Sequence, residues 1–273
     1  MNEPVVSAQD VPALGDIFAR AWKIFSNNFT TILLIVLVVQ VPLNVVLWAV
    51  TPDRILSGQE DTISQQQDLI DNNQTDQVDT AKLITAVAEI NGYGFATNIF
   101  ADMAGAVATM ALIVLAARRS EGREVDFKYS FSRSLPRWPA GALTALMLGV
   151  AVVLLYFALI VPGIIFDIFW TFSLQAVVLR GKTGAGALSY SYRVVKRRWW
   201  KVFLYSFVFG LTAVVIREII SSLNRFGNNA LAAIVFAVLI AVLLSFFTIA
   251  YTVFFLELDK KEVEAAAAQL QAG

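Results

Sequence analysis

Neither cysteine nor histidine occurs anywhere in the 273 residues. Without cysteine there are no disulfides and no thiol chemistry, and without histidine the chain lacks the commonest metal ligand and the commonest catalytic base. A Ser–His hydrolase and a histidine-ligated zinc site are excluded, the balance weighs against an enzyme, and no cofactor or metal is expected. Charge is scarce as well: Asp, Glu, Lys and Arg make up 15% of the chain against 58% hydrophobic residues, and the formal net charge is zero. A mean hydropathy of +0.66 is too high for a soluble domain that has to cover its core with polar surface.

What fills the chain instead is long apolar runs. Crossing about 30 Å of hydrocarbon takes roughly 20 mostly apolar residues in a helix, and six stretches qualify: 29–50, 95–117, 140–161, 163–180, 201–223 and 229–256. The fold class expected is all-α, a polytopic membrane protein with six transmembrane helices. The first 28 residues carry Glu3, Asp10 and Asp16 and show no short apolar core before a small-residue cleavage site, so no cleavable signal peptide is expected. Alternate connecting segments divide the 21 Lys and Arg residues 17 to 4. By the positive-inside rule both termini, Arg118 to Arg137 and Arg180 to Lys201 are expected in the cytoplasm, and the loop 51–93, with eight carboxylates, outside.

Leu188, Tyr192, Val195 and Trp199 stand at 0, +4, +7 and +11, a stripe on one face of a helix that ends at a span. Phe18, Trp22, Phe25 and Phe29 repeat the spacing before the first span, and Phe127, Phe131, Ser134 and Trp138 repeat it before the third. The chain reads as one integral membrane domain of three hairpin units, 14–117, 126–180 and 184–256, each opened by a cytoplasmic amphipathic helix at the interface. A short tail, 257–273, closes it as a frayed helix. Trp22, Phe29, Trp138, Trp199 and Trp200 are expected at headgroup level, with Arg193, Lys196, Arg197, Arg198 and Lys201 facing anionic phosphates. Each basic residue there contributes about 1 kcal/mol. The expected partners are therefore membrane lipids with anionic headgroups on the cytoplasmic side, together with a possible protein partner. These charges abut spans and form no nucleic-acid motif, so nucleic acid is not expected.

The outer loop is rich in Gln, Asp and Asn and has too few aromatics to build a core. Beyond it, Asp79 and Thr80 read as the cap of a helix leading into span two. Asn73-Gln74-Thr75 is a formal glycosylation sequon. Pro42 should kink span one, and Val161-Pro162-Gly163 reads as a tight turn between spans three and four.

Ionisable residues inside spans are functional candidates because hydrocarbon penalises them by about 2.5–3.5 kcal/mol at mid-depth. Asp102, Asp167, Arg217 and Glu218 are the four here. At 1.5 Å per residue the first three fall within roughly 5–10 Å of the outer edge of the apolar slab, and Asn44 and Asn98 reach the same level. The expectation is a polar cluster open toward the outside, with Arg217 paired to Asp102 or Asp167.

Residues 162 to 203, PGIIFDIFWTFSLQAVVLRGKTGAGALSYSYRVVKRRWWKVF, carry a Pro162-Gly163 start and a small turn from Gly181 to Gly186. Ala187 with Ser191 and an Arg198-Trp199-Trp200 exit follow. This stretch resembles the membrane domain found on some glycerophosphodiester phosphodiesterases and on related YciC-type bacterial inner-membrane proteins. The opening LGDIFARAWKIFSNNFTTILLI is similar to that family's start. The resemblance implies six helices in a bacterial plasma membrane. It does not carry the phosphodiesterase chemistry, because no catalytic domain and no histidine accompany it. The Pro-x-Asp/Glu-x-x-Lys/Arg signature of mitochondrial carriers, which also use three hairpins, is absent from spans one, three and five.

Two functional expectations follow. The first is a non-enzymatic integral membrane scaffold or accessory protein that organises lipid or a partner through its three amphipathic helices. The alternative is a transporter or permease whose polar site is the outer cluster, with hairpin units rocking against one another.

Overall fold

The computed structural model describes residues 12–50, 53–72, 79–224 and 230–272. Among them every regular element is helical, as hydrocarbon requires of a chain that must satisfy its own N–H and C=O groups. The order is α1 Leu14–Asn27, α2 Phe29–Val50, α3 Asp53–Asp71, α4 Thr80–Ser120, α5 Phe127–Ser134, α6 Trp138–Ala158, α7 Ile160–Trp170, α8 Ser173–Arg180, α9 Ala185–Lys196, α10 Trp199–Asn224 and α11 Ala230–Ala272. Six stretches are long and apolar enough to cross a membrane: Phe29–Leu47, Ile99–Ser120, Phe127–Leu155, Val161–Arg180, Trp199–Ile220 and Ile234–Glu264. The protein is an all-α, multi-pass membrane protein.

Several elements differ from the sequence expectation. The segment 51–93, expected as a loop, is helical over most of its described residues: α3 packs against α4, and buried Gln66 accepts the Asp79 N–H at 2.7 Å. Asp79 is the N-cap of α4, and its bond from the Lys82 N–H holds its carboxyl below the ordinary carboxylate range. The sequon at 73–75 lies outside the described residues. The tail is not a separate piece, because α11 continues unbroken to Ala272.

The third span begins earlier than residue 140, since α5 passes into α6 through a single 3-10 turn, Leu135–Arg137. Between spans three and four the turn is the single extended residue Leu159, and Pro162 sits in the first turn of α7, where its missing N–H costs nothing. Pro42 lies inside α2, which is helical on both sides of it.

Span four is broken after Trp170, and the break is filled by a residue of α9. Ser191 Oγ donates to the Phe169 carbonyl at 2.7 Å and accepts the Phe172 N–H at 3.1 Å, replacing the helical partners that α7 and α8 lose there. Phe172, fully buried, packs edge-on against Tyr251 and Phe254 of α11. Each such ring pair contributes about 0.5–1.5 kcal/mol beyond area burial. The turn from α8 to α9 uses Gly181 at φ 64° and Gly184 at φ 51°, conformations that a Cβ would strain. The Gly184 N–H donates to Thr144 of α6.

The core lies in the half of the bundle that carries α1, α5 and α9, called here the basic end. From Ala106 to Ala117 every residue of α4 except Thr109 is buried, in a helix that packs against α1, α2, α5, α6, α8 and α11, and the core residues of α11 run from Val242 to Leu258. In lipid this packing rests on close approach and dispersion. Small residues provide it: Ala21 of α1, Ser130 of α5 and Ser191 of α9 stand at the same place in the three stripes, and each is 0% exposed. In the other half, large apolar side chains such as Leu154, Val161, Val214 and Ile219 face outward, as lipid contact allows.

Candidate functional site: two cavities and a basic surface

Away from the basic end, two cavities flank α4. One, of about 510 Å³, lies among α2, α4, α10 and α11, and its polar lining includes Gln40, Asn44, Asp102, Thr109, Arg217 and Ser245. The other, of about 430 Å³, lies among α4, α6 and α7, where Asp102 and Asp167 face otherwise apolar walls of Met103, Leu146, Val150 and Val153. Asp102 lines both. Volumes of this size suit a small molecule or a lipid chain segment.

The sequence-derived cluster is thus partly assembled. Asn44, Asp102 and Arg217 share the first cavity, and Asp167 joins Asp102 in the second. The expected ion pair is a correction: among the described residues Arg217 has no carboxylate of Asp102 or Asp167 within 4.0 Å. The charges face a shared void instead. Glu218, one residue farther along α10, lines neither cavity, and its carbonyl accepts from Ser222. The Asn98 side chain lies outside the described residues. Asn44 donates its amide to the Gln40 carbonyl at 2.8 Å, and the Ser245 hydroxyl donates to the Ala241 carbonyl at 2.7 Å. The void is therefore presented with a carboxylate, a guanidinium and hydroxyl lone pairs.

The first cavity ends on Val36, Ala108, Leu112 and Leu244, where the apolar core begins.

At the basic end each short helix is docked on the bundle rather than lying free. Ile17, Ala21, Ile24 and Phe25 of α1, Ser130 and Ser134 of α5, and Ala187, Ser191, Val194 and Val195 of α9 are the buried faces. The aromatics of the stripes sit at the edges of these contacts. Trp22 remains 61% and Trp200 77% exposed, and Phe29 is exposed too. Trp138 and Trp199 are half-buried, their indole N–H groups donating to Met103 and Ile165 carbonyls. Lys196 and Arg197 are exposed, and Arg193 lies over the Tyr190 ring at 5.4 Å. Lys201 is half-buried. Arg198 is the exception among the expected headgroup cations: in the two-residue turn between α9 and α10 it is buried at 8% exposure.

A second polar centre escaped sequence reading. Asp259 of α11, 3% exposed, accepts from Arg180 Nε at 3.0 Å and from Arg180 Nη2 on one oxygen, and from the Tyr190 hydroxyl on the other. Burial, and then the bond to Asp259, push the Tyr190 phenol from its ordinary 10 up to about 12. The only sequence signal was the pair Glu257 and Asp259 closing the apolar stretch of the last span, ahead of a lysine pair.

Comparison with models of protein families, with curated proteins and with solved structures finds no match.

Proposed function

We propose that the protein is a non-enzymatic scaffold or accessory protein of a bacterial plasma membrane that gathers anionic lipid, or a partner bound through it, on the basic end of the bundle. The carrying observation is the surface that the docked helices leave outward. Trp22 stands exposed on α1 next to exposed Lys23, and Trp200 stands exposed at the α9–α10 junction that carries exposed Lys196 and Arg197, on helices whose other faces are buried in the core. Tryptophan at headgroup depth with cations over it is the pattern of a surface that holds anionic lipid. The 17-to-4 division of Lys and Arg supports a cytoplasmic basic end and cytoplasmic termini. The roles of Gly181, Gly184 and Ser191 at the α8–α9 junction support kinship with the phosphodiesterase-associated membrane domain, which contains the same small turn and Ala-x-x-x-Ser helix.

The test is native mass spectrometry of the full-length protein purified from membranes of mixed anionic and zwitterionic lipid. Enrichment of anionic lipid in the wild type, lost in Trp22→Ala, Trp200→Ala and the Lys196→Gln/Arg197→Gln double variant, supports the reading. Lipid retained in bulk proportion sinks it.

A second reading has its own observation. Two cavities that share Asp102, each lined by charged residues in the half of the bundle away from the basic end, support a transporter or permease with a polar site there.

A further inference from the structure

Between α1, the end of α4 and the start of α2 lies a third cavity, of about 340 Å³, and its lining collects positive charge: Arg20, Lys23 and Arg119, with Asn27, Asn28 and Ser120 between them. Among the described residues no carboxylate lines it. Lys23 is exposed at its mouth. Arg20 reaches away to Glu257 of α11, at the rim, in a half-exposed ion pair. Arg119 uses one Nη2 on the Val125 carbonyl at a long 3.4 Å, while its buried Nε has no hydrogen-bond partner.

Positive charge at the last turns of α1 and α4 complements their C-terminal dipole ends. That accounts for cations on each helix, but it does not account for three of them converging on one void. Lys23 and Arg119 repel across the cavity beside the Arg20–Glu257 pair, and an unsatisfied buried donor costs about 1–3 kcal/mol. Both penalties fall when an anion enters. The neighbouring cavity beside α5 differs. There Arg118 is already bonded to Tyr129, Arg137 to the Val178 carbonyl, and Glu121 supplies a negative charge.

We infer that the cavity walled by Arg20, Lys23 and Arg119 is a phosphate site, holding the phosphate of a phospholipid headgroup or a free phosphate. The inference rests on the anionic-lipid reading of the basic end and locates one discrete site within it, on α1 and α4 rather than on the α9–α10 surface.

The experiment uses full-length protein, delipidated in detergent and titrated with phosphatidylglycerol under native mass spectrometry. A parallel arm follows melting in sodium phosphate against sodium chloride of equal ionic strength. Wild type is expected to hold phosphatidylglycerol with an affinity that Lys23→Gln and Arg119→Gln each weaken by about tenfold, the worth of a charge-assisted hydrogen bond. Arg119→Lys should recover part of it. Lys23 is exposed, so Lys23→Gln keeps the test open even where Arg119→Gln lowers folding yield. Stabilisation by inorganic phosphate but not by phosphatidylglycerol, lost in Lys23→Gln, keeps the site and makes a free phosphate its ligand. Unchanged binding of both probes in Lys23→Gln and Arg119→Gln overturns the site. In that case, loss of lipid only in Lys196→Gln/Arg197→Gln leaves the broader reading standing, and no loss in any variant removes both.

Discussion

The indole Nε1 of Trp138 donates to the carbonyl of Met103 at 2.7 Å, tying the first turn of α6 to the helix of the preceding span. Trp199, at the same place in the next unit, donates to Ile165 of its own preceding span at 3.3 Å. The two tryptophans thus act as staples between consecutive spans. Replacing either by Phe keeps the ring and removes the donor. Trp138→Phe should lower stability by about 1 kcal/mol, and Trp199→Phe, with the longer bond, by less. Reversible unfolding in mixed micelles reads this, and equal, negligible changes in both would remove the staple.

Ser191→Ala should be costlier. It leaves the buried Phe172 N–H without an acceptor at the break in span four, a loss of about 1–3 kcal/mol. Faster amide exchange at Phe172 than in the wild type is the expected local signature. Unchanged exchange there would mean that α7 and α8 do not depend on the bridge.

Asp259→Ala removes the shared acceptor of Arg180 and Tyr190. Arg180 is 40% exposed and Asp259 4%, so the loss should fall at about 2–3 kcal/mol, below that of a fully buried pair. In a double-mutant cycle with Tyr190→Phe the two changes should be less than additive, because they break the same cluster. Additivity would show that the tyrosine contributes nothing through Asp259.

The same cluster sets a pH dependence at the alkaline end. The Tyr190 phenol holds its proton in the folded protein to about 12 and in the unfolded chain only to the ordinary 10. Its contribution is therefore complete below pH 10 and disappears as pH rises through 12, because the unfolded state sheds the proton first. Wild type should lose its stability advantage over Tyr190→Phe across that window. Melting curves of the two proteins that run parallel from pH 9 to 11.5 would contradict it.

The absence of cysteine makes the cavities easy to probe. Asp102→Cys should react with a membrane-impermeant thiol reagent, since residue 102 lines both cavities, whereas Ala111→Cys, at a fully buried position, should not. Labelling of intact cells and of inverted vesicles then reports the side from which the cavities open. Protection of Asp102→Cys from both sides would close the access route that the transport reading needs.

Some of this architecture was legible before any coordinates. The six spans could be read because hydrocarbon imposes its demand on each segment separately: about 20 apolar residues, all backbone bonds internal. The Asp79 cap was readable for the same reason, as it depends on residues three apart. Less local expectations fared unevenly. The stripes marked short helices correctly, but the face that docks is centred on Ala21, Ser130 and Ser191 rather than on the aromatics, because close approach between helices selects small side chains. Helix α3 was not legible, since pairing with α4 supplies the shelter that its own composition lacks.

By itself, then, the sequence determined class, span number and the absence of thiol and imidazole chemistry, each a property of composition or of a single helix. Only the tertiary structure decided that Arg180 finds Asp259, 79 residues away, that Asp102 stands between two cavities without meeting Arg217, and that Arg198 turns inward while Trp200 turns out. The physical reason is that these outcomes depend on how helices cross and rotate against one another. That is settled by packing summed over the whole bundle, which no local run of residues encodes.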